Sequence, residues 1–151
     1  MPEYLESGTQ NVPGILALGA GIDFVRARGE DNLRQAEMRH VRRIHAAFSR
    51  MPHVKLYTPP PDMRYFVPVL GFNVRGMASE AVGDYLAKHG IAVRCGFHCA
   101  PFANRKMGTD SDACGGAVRV SPSAFTDDRQ VDGLIRAVSA LQKAPAVRGQ
   151  K

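Results

Sequence analysis

The chain has 151 residues, a formal net charge of +6, 44% hydrophobic and 23% charged residues, the balance of one ordinary globular domain able to bury roughly two thirds of its unfolded surface. No apolar run approaches the ~20 residues of a membrane span, and Met1 to Ser7 shows no basic segment followed by an apolar one, so neither a membrane anchor nor a secretory leader is expected. Three cysteines are an odd count, which argues against a disulfide framework and for a reducing cytoplasm.

The excess positive charge is mostly arginine scattered along helical segments with few aromatics between, a solvated basic face and not a nucleic-acid surface. The first such segment follows Asn11, a cap residue, with Pro13 suited to a first helical turn. Ile15, Leu18, Ile22 and Val25 then recur at helical spacing, and Gly29 ends the run. Gly14, Gly19 and Gly21 weaken its intrinsic helicity, so close packing is needed to hold it and a buried helix is expected. A second helix is predicted from about Asp31 to Met51 on the stripe Leu33, Val41, Ile44, Phe48 and Met51, stopped by Pro52. Residues 54–58 alternate like a strand, Pro59 to Pro61 form an extended loop, and residues 67–74 give a second strand that Pro68 confines to an edge or a start.

Ser79 is expected to cap a helix carrying Val82, Tyr85 and Leu86 and closed by Gly90. Ile91 to Arg94 reads as the third strand and Ala117 to Ser121 as the fourth, separated by a long polar loop from Pro101 to Gly116. Thr126, Asp127 and Asp128 open a last helix on the stripe Val131, Leu134, Ile135, Val138 and Leu141. The expectation is an α+β domain over residues 1–142, with helices packed on a small, mostly antiparallel sheet, and a frayed tail over 143–151. His40, His45, His53 and His89 read as solvent-facing.

The chemistry concentrates in Gly90 to Pro101, with Arg94, Cys95, His98 and Cys99, and in Ala117 to Ser121, with Arg119. A thiol is a nucleophile only as thiolate, which positive charge favours, and arginine matches a carboxylate with two parallel hydrogen bonds. Nucleophile and anion clamp thus lie in one short stretch of sequence. Cys95 and Cys114 read as structural thiols. A zinc module is the alternative from another class, with Cys95, His98, Cys99 and Cys114 as ligands. It is disfavoured because adjacent His98 and Cys99 hardly reach one tetrahedral site together and Cys114 has no paired cysteine.

Three stretches, Glu6 to Gly14, the segment ending His98-Cys99-Ala100-Pro101, and Gly116 to Ser121, together resemble cysteine desulfurases of the class V aminotransferase group. The likeness covers about residues 3 to 142 and matches the C-terminal third of such an enzyme, so it implies the small domain of a fold-type I enzyme dependent on pyridoxal phosphate. By that resemblance Cys99 is the catalytic residue that takes sulfur from L-cysteine as a persulfide, leaving alanine, and His98 is its catalytic neighbour. Arg119 and Arg94 would bind substrate, Arg119 gripping its carboxylate, and Thr9 would reach the cofactor phosphate in the partner subunit of a homodimer. A sulfur-acceptor protein would be a further partner. The family's Schiff-base lysine lies upstream of this stretch, and Lys55, Lys88, Lys106, Lys143 and Lys151 have no such context. This chain alone is therefore not expected to hold the cofactor or to turn over. A non-catalytic dimerisation or acceptor-docking domain is the second reading.

Overall fold

The computed structural model describes residues 8–141. Met1 to Ser7, including the start of the first resembling stretch, and the tail from residue 142, where fraying was expected, lie outside the described residues. Helix α1 spans Val12–Arg28, with the Asn11 side chain accepting from the Gly14 N–H at 3.1 Å and Gly29, at φ 80°, closing it through its own N–H to Val25 O. The expectation that α1 is buried is corrected. None of its residues is buried, and Ile15, Leu16, Leu18 and Ile22 are exposed. Its apolar residues are spread around the helix instead of along one side, so α2 and a stack of Phe24 on Phe125, 5.4 Å between ring centres, cover only part of it.

Helix α2, Glu30–Phe48, buries Met38, His40, Val41, Ile44 and Phe48 and ends one turn before the expected Met51, where Ser49 Oγ donates to His45 O at 2.6 Å. His40 is thus a correction: it lies among the buried residues of α2 and faces the last helix, its Nδ1 3.7 Å from Asp128 Oδ1. His53 is likewise half-buried, its Nε2 3.0 Å from Val138 O.

Four strands follow, β1 (Val54–Leu56), β2 (Leu70–Val74), β3 (Arg94–Gly96) and β4 (Ala117–Val120), in the order β1-β2-β4-β3 with every neighbouring pair antiparallel. β2 starts at Leu70, beyond Pro68, which has no N–H for a ladder. β3 corrects the sequence reading: it shares only Arg94 with the predicted 91–94, because Ile91 and Val93 pack against the core without a strand partner. Helix α3, Ser79–Lys88, begins with Ser79 as its first helical residue and not as its cap. The Ser79 hydroxyl instead donates to Gly115 O at 2.6 Å, fastening the stretch before β4. The predicted long loop contains a helix, α4, Pro101–Met107, closed by left-handed Gly108. Helix α5, Asp128–Ala140, is capped by Asp127 in a reciprocal pair with Gln130 at 2.8 and 3.0 Å, while Thr126 turns back to accept from the Ser123 N–H.

The strand alternation sorts the sheet into two faces. Leu70, Phe72, Val118 and Val120 point into a core completed by Phe48, Leu86, Leu134 and Val138 of α2, α3 and α5. Lys55, Gly71, Arg94 and Arg119 occupy the opposite face. Arg43 of α2 pairs with Asp128 and Asp132 of α5 across the helical layer. No helix among the described residues is long and apolar enough to cross a membrane.

Candidate active site

The site is built where β3 meets β4. Their register sets Arg94 directly opposite Arg119 and Gly96 opposite Ala117, so two arginines share the face of the sheet turned away from the core. Like charges placed so destabilise a sheet unless something anionic lies between them. The strands approach closely here: a Cβ on Gly116 would collide with the backbone of Gly96, and both glycines have positive φ, 88° and 100°.

Directly after β3 the chain reverses in the tight turn Phe97–Ala100. His98 and Cys99 have φ of 55° and 57°, and the Ala100 N–H donates to Phe97 O at 2.9 Å. Two left-handed central residues closed by that bond are the mark of a type I′ turn, which normally uses Asn-Gly. Here a thiol stands at the second central position, and Cys99 is exposed.

His98 folds back onto β4, its Nε2 2.9 Å from Ala117 O. A carbonyl only accepts, so Nε2 carries the proton and the unpartnered Nδ1 carries the lone pair. Burial holds the imidazole below its ordinary pKa; the bond to Ala117 opposes this, and the guanidiniums of Arg119 and Arg94 push it down further. His98 is therefore the neutral ring at neutral pH, next in the chain to the exposed Cys99 thiol. Arg119 is half-buried, and its Nε is buried without a hydrogen-bond partner among the described residues. A buried unsatisfied donor is costly and points to a missing acceptor. Arg94 is exposed.

Cys95 turns to the core side and packs against Gly83 of α3, where burial, then Asp84 and Glu80, raise its thiol pKa. Cys114 is half-buried. Cys95, His98, Cys99 and Cys114 do not converge: among the described residues no three His, Cys, Asp or Glu form a metal-binding group. Arg94, Arg119, His98 and the Cys99 turn come together, whereas Thr9 does not join them. It is exposed two residues before the Asn11 cap, at the positive end of α1, the kind of end that attracts a phosphate. That local feature suits the cofactor role implied for Thr9.

Sequence reasoning passed over Asn104 and Thr109, both fully buried, which hold the turn from α4 and from the stretch after it. The signal was present: Pro101 at a helix start and Gly108 at its end delimit α4. It also missed Asn73, whose side chain continues the β2–β4 ladder by donating to Gly116 O at 2.9 Å and accepting from the Val118 N–H at 3.2 Å.

Comparison with known proteins gives one consistent picture. The profile of the aminotransferase class-V family matches residues 1–134. A cysteine desulfurase of Wigglesworthia glossinidia brevipalpis is 27% identical over 95% of this chain and 33% of its own length. One of Cronobacter sakazakii is 33% identical over 89% of this chain and 32% of its own. The solved structure of an apo cysteine desulfurase from Thermococcus onnurineus superposes with a TM-score of 0.82 at 30% identity, covering 94% of this chain and 34% of that one. The chain spans about a third of the length of the curated relatives it matches.

Proposed function

The chain belongs to the class V aminotransferase family, and on that premise we propose that it is the sulfur-accepting portion of a cysteine desulfurase dependent on pyridoxal phosphate. One observation carries the reading: an exposed thiol, Cys99, stands on a strained turn next to neutral His98 and beside the strands that oppose Arg94 and Arg119. Arg119, with its unsatisfied buried Nε, receives the substrate carboxylate, and Arg94 adds a second positive charge on the same face. His98 keeps its Nε2–H on Ala117 O, which leaves Nδ1 as its only acceptor nitrogen, in the residue next to the thiol that must lose its proton. The Cys99 thiolate attacks the sulfur of L-cysteine, an S–S bond forms as the C–S bond breaks, and the C–S electron pair goes to carbon, which is protonated to leave alanine. When bound, the cofactor supplies the electron sink for that pair, and from this chain Thr9 would contact its phosphate.

The same proposal includes a cytoplasmic homodimer that hands the persulfide to an acceptor protein. The second reading, a non-catalytic dimerisation or docking unit, is favoured by the exposed apolar residues of α1. Limiting iodoacetamide, read by mass spectrometry, distinguishes the two. Cys99 is expected to be alkylated well before Cys95 and Cys114, and incubation with cysteine persulfide to add one sulfur atom to Cys99 and to neither of the others. Cys99→Ser removes both signals and Cys114→Ser neither. Equal labelling of the three thiols would sink the sulfur-accepting reading.

A further inference from the structure

The turn that presents Cys99 is an unfavourable one for its residues. A type I′ turn demands positive φ at both central positions, and left-handed backbone is costly for a residue with a Cβ. Histidine tolerates it better than most residues, but cysteine stands where glycine is the default. Such a turn persists only where its surroundings over-determine it. The surroundings here are specific. The Nδ2 of Asn104, on α4, donates to Phe97 O at 2.8 Å and to Ala100 O at 2.9 Å, the carbonyls at the two ends of the turn. The other end of the same amide, Oδ1, accepts from Thr109 Oγ1 at 2.7 Å. A flipped amide would aim Oδ1 at two carbonyl oxygens, so its orientation is fixed. Thr109 is itself anchored, its N–H donating to Asn104 O at 2.9 Å and its carbonyl accepting from the Gly116 N–H at 2.8 Å, next to the start of β4. Asn104 and Thr109 are 1% and 0% exposed, so water does not compete for these bonds.

We infer that Asn104, oriented by Thr109, is a positioning residue that clamps the Phe97–Ala100 turn in its strained form and so fixes where the Cys99 thiol is presented. The inference rests on the reading of Cys99 as the sulfur-accepting group, because only a nucleophile gives the held turn a chemical purpose. It assigns a task to a buried amide that touches neither the thiol nor the arginines.

Amide hydrogen exchange of the 151-residue chain, followed by NMR at Ala100, tests it. In the wild type the Ala100 N–H is protected by its bond to Phe97 O. Asn104→Ala is expected to lower that protection at least tenfold, and Thr109→Val, nearly isosteric and lacking only the hydroxyl, at least threefold. Thr109→Ser keeps the wild-type value within twofold. Amides of the β2–β4 ladder stay within twofold in Thr109→Val, which separates local release of the turn from global loosening. The decisive arm is Cys99→Gly in the Asn104→Ala background. Glycine accepts φ 57° freely, so it restores Ala100 protection at least threefold if the clamp opposes strain at that residue. Unchanged Ala100 protection in both single variants, an equal loss at β2 and β4, or no restoration by Cys99→Gly would each overturn the inference. Iodoacetamide labelling of the same samples keeps the two questions apart. Slow Cys99 labelling in the wild type, with Ala100 responding as expected, removes the sulfur-accepting reading and leaves the clamp standing.

Discussion

The two faces of the sheet are made from the same four strands and do opposite things. On the helix-packed face Leu70, Phe72, Val118 and Val120 are buried against α2, α3 and α5. On the other, Arg94 and Arg119 set two arginines in register, and the Arg119 Nε is a buried donor left unsatisfied among the described residues. Adjacent residues of one strand thus divide the work: Val118 holds the fold together, and Arg119 does not. The comparison teaches that residues which make poor structural sense, such as like charges face to face or a thiol in a glycine position, are the ones to suspect of chemistry.

Phe72→Ala should have the largest effect. Phe72 is fully buried and packs on Phe48 at 4.8 Å between ring centres, so its loss should cost about 3–5 kcal/mol in urea unfolding. A cost below that of an ordinary surface change would break the assignment of stability to this face. Asp127→Ala, which removes the α5 cap and leaves the Gln130 N–H without its partner, should cost about 1 kcal/mol by the same measurement.

A smaller effect is expected from His98, read through pH. Its folded-state pKa lies below the ordinary value of about 6.5, so between the two the unfolded chain binds more protons and stability rises with pH. The loss begins as pH falls through about 6.5 and is complete below the folded-state value. His98→Gln should flatten that part of the stability profile, and an unchanged slope would mean that the ring is not held neutral. The smallest stability change belongs to Arg119→Leu, within about 0.5 kcal/mol, because removing one of two facing charges offsets the lost packing of its stem. Its effect should appear in chemistry. Sulfur transfer to Cys99 from cysteine persulfide should slow roughly tenfold, as loss of a carboxylate clamp predicts. Transfer from a persulfide lacking a carboxylate should be unchanged. Arg119→Leu costing as much as Phe72→Ala would erase the contrast between the faces.

Much of this was legible in the residues. The stripe of α5, its opening at Thr126 to Asp128 and the antiparallel sheet follow from spacing and residue type. What failed did so for tertiary reasons. Periodic apolar residues announce α1 as a helix, but not what covers it. The strand at residues 91–94 shifted because Ile91 and Val93 satisfy the core without a ladder, leaving the pairing to Arg94, Cys95 and Gly96. His40 is buried because α2 turns that residue toward α5, a choice invisible along one helix. Within the site, Cys99 and Arg119 could be singled out from sequence as candidates. The left-handed turn and its Asn104 clamp could not, since positive φ at a His-Cys pair runs against local preference and depends on a partner beyond the turn.

The strand order also dictates a sequence of events in time. β4 is the last strand among the described residues and yet lies inside the sheet, between β2 and β3. A polypeptide emerging N-terminus first from the ribosome can pair β1 with β2 at once, but β3 has no neighbour until residues 117–120 arrive to bridge it to the rest. Until then β2 keeps an open edge, the kind of edge that invites pairing with another chain. Arg94 likewise meets Arg119 only in that final step, so the candidate site is assembled last, and a nascent chain stalled before Ala117 carries Cys99 without the strand that sets Arg119 opposite Arg94.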